Sequence, residues 1–267
     1  MPDYPIYCIN LEHRQDRKEH SLKQFAKLGI SHDKVIYPHF VKDKRGGVYG
    51  CFDSHMKIWK DFYTNYPDAK YVLVFEDDFV VSDKTMEMIN NAAKFIEDNY
   101  DAVDVLFFHN HCFVEKHPLN NSLFINGLGL TTAAGFVSRR YIQSILDKYG
   151  KFPEPTGRHF DYEMNENVFD TDVMIYTENI FYTRNPCITQ LIDESDNASN
   201  IIDLLFRKDM DNQVGMLFEF FNYLNLDLNA TRYQRLIIGR MVNIIYHRPE
   251  QNAFIEQLRT FKKLFSK

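Results

Sequence analysis

A run of five apolar residues, Tyr71-Val72-Leu73-Val74-Phe75, is followed at once by three acids, Glu76-Asp77-Asp78. The run predicts a strand buried on both faces, as in a sheet that helices cover. In open sheets of this kind, ligands bind beyond the carboxyl ends of the strands. Three adjacent carboxylates repel one another unless a cation lies among them, and a divalent ion with oxygen ligands is the simplest such cation. The segment therefore predicts a metal or ligand site, although solvated acids in a strand-terminal turn would give the same pattern.

Strand and helix patterns alternate along the first part of the chain, which predicts an α/β fold with a mostly parallel sheet covered by helices. The predicted strands are 4–11, 35–40, 71–75, 103–109 and 135–138, and the predicted helices are 14–28, 51–63, 83–99 and 141–149. After about residue 201 the pattern changes to helices alone, over 201–224, 231–246 and 249–265. We expect this part to be an all-α extension packed on the core.

The composition is that of a globular protein, since 45% of the 267 residues are apolar and 25% are charged. The 11 glycines and 9 prolines are too few for a collagen-like or low-complexity chain. The formal net charge of −6 argues against duplex nucleic acid as the main ligand. The first 60 residues are nevertheless basic, with 11 basic and 7 acidic residues, whereas residues 159–211 carry 3 basic and 12 acidic ones. This distribution favours a small-molecule ligand, with a phosphate at the basic segment.

The chain shows no export or membrane signal. No stretch reaches the roughly 18 to 20 apolar residues of a membrane span, and the start lacks the basic segment and apolar core of a secretory signal. The four cysteines have no C-x-x-C spacing, so neither a zinc cluster nor a disulfide framework is indicated. We expect a cytoplasmic protein. Its richness in Asn, Ile, Lys, Tyr and Phe hints at an AT-rich genome, such as that of a bacterium or a large DNA virus. The basic residues of 232–267 leave peripheral membrane association open.

Two further segments carry polar residues near predicted helix starts. The motif G-x-x-G-C-x-x-S-H spans residues 47–55 and leads into a helix whose free N–H groups suit an anionic ligand. The motif N-L-x-x-R-x-x-R spans residues 10–17 and sets two arginines one helical turn apart, after the first strand. Each pattern alone has a common structural explanation. The histidine of residues 47–55 could simply be packed in the core, and the arginines of residues 10–17 could lie on a solvated helix face. Together with the acids they favour a functional site.

The order and spacing of these three segments resemble glycosyltransferase family 25, which includes lipooligosaccharide galactosyltransferases and procollagen galactosyltransferases. That family opens with an I-N-L-x-x-R-x-x-R-like segment, continues with G-x-x-G-C-x-x-S-H, and then has a strand that ends in E-D-D, as this chain does. T-A-A-G-F-V-S-R at 132–139, P-C-I-T-Q at 186–190 and S-D at 195–196 match further segments. Phe136 stands where the family has a tyrosine. The resemblance covers about residues 4–200.

The resemblance implies a GT-A-like, Rossmann-like domain over residues 1–200, with 201–267 as the helical extension. It implies a uridine diphosphate sugar as donor, a glycan or a hydroxylated protein side chain as acceptor, and Mn²⁺ or Mg²⁺ as cofactor. Glu76 and Asp78 would be the metal ligands, with Asp78 the preferred one. The donor would be bound or supported by Asn10, Leu11, Arg14, Arg17, Gly50, Ser54, His55, Asp77 and Gln190.

Members of this family invert at the anomeric carbon, which requires a carboxylate to take the proton from the acceptor hydroxyl. Asp161 is the first candidate because aromatic residues that could stack on a sugar flank it, and Asp196 is the second. A helix N-cap role for Asp161 is an equal alternative. Asp170 and Asp172 are further candidates for the acid that the family has before its last strand. The segment H-N-H-C at 109–112 is a further possible contributor to a metal shell, or a polar loop.

Two other functions remain open on the sequence alone. A catalytically silent module would bind a sugar nucleotide or a glycan without turnover. A metal-dependent phosphohydrolase would also gather acids after strands, but the sequence lacks the second cluster of His and Asp ligands that a two-metal site needs.

Overall fold

A mixed eight-stranded sheet is the centre of the structure, which is a computed structural model. The structure describes residues 4–108, 112–114, 117–129, 132–155, 160–164, 175–185 and 187–191, all of which lie in one unit of the chain. The strands are β1 (Ile6–Ile9), β2 (Val35–Ile36), β3 (Tyr71–Glu76), β4 (Phe79–Val81), β5 (Val105–Phe107), β6 (Cys112–Val114), β7 (Phe124–Gly129), β8 (Ala134–Ser138), β9 (Ile180–Thr183) and β10 (Ile188–Gln190). The helices are α1 (Gln15–Lys27), α2 (Gly47–Asn65), α3 (Thr85–Asp98), α4 (Arg139–Tyr149) and α5 (Phe160–Met164).

The strand order in the sheet is β2-β1-β3-β8-β5-β9-β7-β6. The pairs β1–β2, β1–β3 and β5–β9 are parallel, and β8 and β7 run against their neighbours. Six of the eight strands therefore point the same way, which agrees with the predicted mostly parallel α/β sheet. The strands β4 and β10 form a separate antiparallel pair.

Helices cover both faces of the sheet, because successive residues of a strand point to opposite sides. Cys8 packs with Phe25 of α1 and with the apolar side of α3. Its neighbour Tyr7 packs on the other side with Trp59 of α2 and Tyr141 of α4. Strand β3 is buried along Tyr71–Phe75, as its uninterrupted apolar sequence predicts.

Arg139, the first residue of α4, anchors the far end of α2. Its guanidinium donates hydrogen bonds to the carbonyl oxygens of Phe62 and Tyr63 in the last turn of that helix, and of Tyr66 and Ala69 just after it. The last carbonyls of a helix lack intrahelical partners and carry partial negative charge, which a cation satisfies. Ser138, just before Arg139, caps α4 by accepting a hydrogen bond from the backbone amide of Tyr141.

Several sequence predictions concern residues that the structure does not describe. The helices predicted over 201–224, 231–246 and 249–265 lie outside the described residues, and so does the boundary predicted near residue 200. In the part that is described, no helix has the length and apolar character needed to cross a membrane.

Candidate functional site

The acidic triplet lies where two parallel strands end side by side. Ile9, the last residue of β1, pairs in register with Glu76, the last residue of β3. Asp77 and Asp78 form the turn between β3 and β4. The turn is held from outside, because the backbone amide of Leu191 donates to the Asp78 carbonyl at 2.7 Å. Because β1 and β3 end side by side, the motif of residues 10–17, which follows β1, lies beside the acids that follow β3.

Arg17 is a buried cation between two of these carboxylates. It lies on α1 with only 3% of its surface exposed. One guanidinium nitrogen is 3.7 Å from Oδ1 of Asp77 and 3.6 Å from Oδ2 of Asp78. A charged group this deeply buried requires opposite charge nearby, and both carboxylates supply it. Arg14 differs, since its guanidinium forms an ion pair with Asp16 at 2.8 Å.

Polar side chains complete this group, which we call the Arg17 cluster: Asn10, Arg17, Asp77, Asp78 and Gln190. The buried Asn10 side chain donates to Oδ2 of Asp77 at 2.7 Å and to the backbone carbonyl of Arg14 at 3.1 Å. Gln190 donates to Oδ1 of Asp78 at 3.4 Å. Burial raises the pKa of Asp77, and the Asn10 hydrogen bond and the Arg17 charge oppose this rise. Residues predicted from three separate segments therefore meet in one cluster.

Glu76 belongs to a second group, which we call the Glu76 cluster: Cys51, His55, Glu76 and Thr132. The Thr132 hydroxyl donates to Oε1 of Glu76. Nε2 of His55 is 3.6 Å from the same oxygen. Cys51 is four residues before His55 on α2, so both side chains lie on one face of that helix. The triplet thus divides, with Glu76 beside α2 and the two aspartates beside α1.

His55 is held by an aromatic stack. Its ring lies parallel to that of Phe160, the first residue of α5, with 4.0 Å between centroids and 8° between planes. His55 is 3% exposed, and its Nε2 has no hydrogen-bond partner among the described side chains and backbone. Asp161, the predicted base, directly follows Phe160 in the chain. The helix that carries this candidate base therefore begins at the Glu76 cluster.

The start of α2 differs from the prediction. The helix begins at Gly47 rather than near Cys51, so Gly47 and Gly50 lie in its first turn and not in a preceding loop. Gly46 is the N-cap residue, and its φ of 121° favours glycine. The helix therefore begins at Gly47, four residues before the predicted start at Cys51. A Cβ on Gly50 would lie 3.3 Å from Cβ of Asp43, so Gly50 allows the close approach of that loop. Cys51 and His55 are therefore one and two turns inside the helix.

The remaining predicted residues are divided between the site and the undescribed part of the chain. Ser54 is buried on α2. Leu11, in the motif of residues 10–17, forms a parallel bridge with Phe40. The predictions that lie outside the described residues are His109, Asn110, His111, Asp170, Asp172 and Asp196. Sequence reasoning did not select Cys51 and Thr132 as site residues. The four-residue spacing of Cys51 and His55 on a helix was the available signal for the former.

Comparisons with known proteins bear on the same stretch of chain. Residues 45–126 match the model of glycosyltransferase family 25, described as an LPS biosynthesis protein, so the resemblance predicted from sequence is confirmed over these residues. They include residues 47–55 and the acidic triplet. Comparison with curated proteins gives no match. The chain is similar to the crystal structure of a glycosyltransferase involved in the glycosylation of the major capsid of PBCV-1, at 12% identity and a TM-score of 0.34, over 67% of this chain and 94% of that one.

Proposed function

We propose, from the match of residues 45–126 to glycosyltransferase family 25, that this chain is an inverting glycosyltransferase. Its donor is a uridine diphosphate sugar, and its acceptor is a glycan or a hydroxylated protein side chain. The observation that carries the proposal is the meeting of Asn10, Arg17 and the acidic triplet at the carboxyl ends of β1 and β3. Ligands of open α/β sheets bind at this edge.

The Arg17 cluster forms the floor of the proposed donor site. Arg14 and Arg17 bring positive charge to the carboxylates and to an incoming diphosphate, and Arg14 is the more exposed of the two. Asn10 fixes Asp77 and the backbone of Arg14 together, so it positions both groups. The other residues proposed to line or support the donor site are Leu11, Gly50, Ser54, His55, Asp77 and Gln190.

The carboxylates at this edge are the kind of oxygen ligand that Mn²⁺ and Mg²⁺ take. Glu76, Asp77 and Asp78 offer three carboxylates, and Arg17 brings a single positive charge to the two aspartates. Glu76 and Asp78 are the residues proposed to hold the ion, and Glu76, which lies beside His55 of α2, would have to turn toward Asp78 to share it. Carboxylate oxygens are the ligands that these hard cations prefer. When bound, the ion would supply charge neutralisation at the leaving diphosphate.

Inversion is a single displacement in this proposal. The acceptor hydroxyl oxygen bonds to the anomeric carbon while the bond from that carbon to the diphosphate oxygen breaks, and a carboxylate takes the hydroxyl proton. Asp161 is the first candidate base, because it follows Phe160, whose ring stacks on His55. Asp196 is the second candidate.

Thermal unfolding with uridine diphosphate tests the proposal. We expect the nucleotide to raise the melting temperature in Mn²⁺ or Mg²⁺ but not in a chelator, because binding to the folded state alone stabilises it. Asp78→Asn should abolish this effect, whereas Asp83→Asn, at an exposed acid five residues away, should retain it. Absence of stabilisation under either condition would refute the proposal.

Turnover assays separate the proposed enzyme from the two alternatives. Hydrolysis of a uridine diphosphate sugar in the absence of acceptor supports a transferase. Binding without hydrolysis or transfer would identify a silent binding module instead. Release of inorganic phosphate from simple phosphoesters would favour a phosphohydrolase.

A further inference from the structure

Three metal-binding side chains converge beside the Arg17 cluster. Cys51 Sγ, a ring nitrogen of His55 and a carboxylate oxygen of Glu76 all lie within 4.8 Å of one another. Two of these residues come from adjacent turns of α2, and the third is the last residue of β3. Cys51 and His55 are four residues apart and share one face of α2, whereas Glu76 lies on a different element. The fold therefore brings sulfur, nitrogen and oxygen donors to one point.

His55 supplies the second, independent observation. It is a polar side chain with 3% exposure, and its Nε2 has no hydrogen-bond partner in the described part of the structure. That nitrogen is 3.6 Å from Oε1 of Glu76, which is too long for a hydrogen bond. Buried polar atoms normally have a partner, so an unpaired one requires an explanation. The stack on Phe160 restricts rotation of the ring away from Glu76.

We infer that Cys51, His55 and Glu76 form a site for a borderline transition-metal ion of the Zn²⁺ class. Zinc binds thiolate, imidazole and carboxylate ligands at about 2.0–2.3 Å, which in a tetrahedron places the ligand atoms about 3.5 Å apart. The observed separations of up to 4.8 Å come within reach through small side-chain movements. Three protein ligands leave a fourth position for water or another group, and Glu76 remains partly exposed.

This site differs in chemistry from the proposed donor metal. A thiolate and an imidazole select Zn²⁺ or Co²⁺, whereas carboxylates alone suit Mg²⁺ and Mn²⁺. The two sites share Glu76, so Cys51 and Asp78 are the residues that distinguish them. The inference requires neither donor binding nor transfer, so variants of Cys51 and Asp78, which belong to one site each, test it apart from the proposed function.

Metal titration of the full, reduced chain is the direct test. After treatment with a chelator, we expect one equivalent of Co²⁺ to give visible d–d bands and a near-ultraviolet band from thiolate-to-cobalt charge transfer, both lost on addition of Zn²⁺. Cys51→Ser should remove the charge-transfer band and weaken Zn²⁺ binding at least tenfold, as His55→Gln and Glu76→Gln should weaken it. Cys187→Ser is the matched control and should bind Zn²⁺ as the unmodified chain does. Asp78→Asn should also retain Zn²⁺, which separates this site from the donor metal.

Alkylation of the unmodified chain gives a readout that no substitution can disturb. We expect Zn²⁺ to slow the reaction of Cys51 with iodoacetamide at least tenfold, as mapped by peptide mass spectrometry. Cys8 and Cys187 are buried thiols, and burial raises the pKa of both, that of Cys187 to about 12, so they react little with or without metal. A cobalt spectrum without a sulfur band, or equal alkylation of Cys51 with and without Zn²⁺, would overturn the inference.

Discussion

Replacement of Arg17 by methionine tests whether the buried cation stabilises the acidic turn. Methionine keeps an unbranched apolar side chain of similar reach but removes the charge that lies 3.6–3.7 Å from Asp77 and Asp78. The two carboxylates would then be left without this partner in a largely buried site. Asp77 would still accept a hydrogen bond from Asn10, and Asp78 one from Gln190.

The size of the loss follows from burial and distance. Removal of one partner from a fully buried ion pair costs about 3–5 kcal/mol. The contacts of Arg17 are longer than hydrogen bonds, and the Asp77 side chain is 20% exposed, so solvent screens part of the interaction. We therefore expect Arg17→Met to lower the free energy of unfolding by about 2–3 kcal/mol near neutral pH.

The loss should depend on pH in a defined direction. Burial raises the pKa of Asp77 above its ordinary value of 3.8, so the folded state binds this proton more tightly than the unfolded state does. Its contribution to stability therefore falls as pH rises through the interval between the unfolded and folded pKa values. Without Arg17 the folded pKa rises further, and the variant loses more on going to neutral pH. The difference between variant and parent should accordingly shrink as the pH falls through this interval and Asp77 takes up its proton.

Urea unfolding followed by circular dichroism, in metal-free buffer, measures this difference near neutral pH and at about pH 4. Lys23→Met, at an exposed position of the same helix, is the matched control and should change stability by less than about 0.5 kcal/mol. A loss for Arg17→Met no larger than that of the control, or a loss equal at both pH values, would refute the reasoning.

Two further substitutions test the framework that carries the site. Gly135→Ala should destabilise the fold by about 3 kcal/mol in urea unfolding, because a Cβ there would lie 2.5 Å from the ring of Phe107 and 2.9 Å from a backbone carbonyl. A urea unfolding curve like that of the parent would contradict this packing. Asp104→Ala should lower stability by about 2 kcal/mol in thermal unfolding, because the buried Asp104 carboxylate accepts hydrogen bonds from Arg140 and Thr177, and an unchanged melting temperature would show that these donors find other partners.

Several longer elements are predictable because their sequences carry a complete local signal, but β7 and β9, of six and four residues, are not among the predicted strands. Helix α1 was predicted over 14–28 and is Gln15–Lys27, and β3 was predicted over 71–75 and ends one residue later. The strands β4, β6 and β10 have three residues each, too few to show a periodicity. Their existence depends on pairing with distant segments, as Ile188–Gln190 pairs with Phe79–Val81. Local sequence contains no record of such pairing.

The candidate site was predictable in its members but not in its partition. The sequence predicts Arg17 and the three acids at one sheet edge, and the structure brings Arg17 to Asp77 and Asp78 but sets Glu76 beside His55. Which carboxylate faces which helix depends on the turn after β3 and on the packing of α1 and α2, both of them tertiary features. Cys51 is not predicted as a ligand because the chain has no C-x-x-C spacing. Its neighbours in the structure are instead His55, on the same helix face, and Glu76, on another element.

Arg139 gives the site a dependence on a residue well removed from it. The guanidinium holds the carbonyls at the far end of α2, beginning at Phe62, while His55 lies seven residues earlier, about 10 Å along the helix axis. Because the helix is rigid, loss of the Arg139 hydrogen bonds at its last turn would let the whole helix tilt and would displace His55. Substitutions at Arg139 should therefore change the affinity of the proposed Cys51, His55 and Glu76 site for metal, although Arg139 contacts none of these residues.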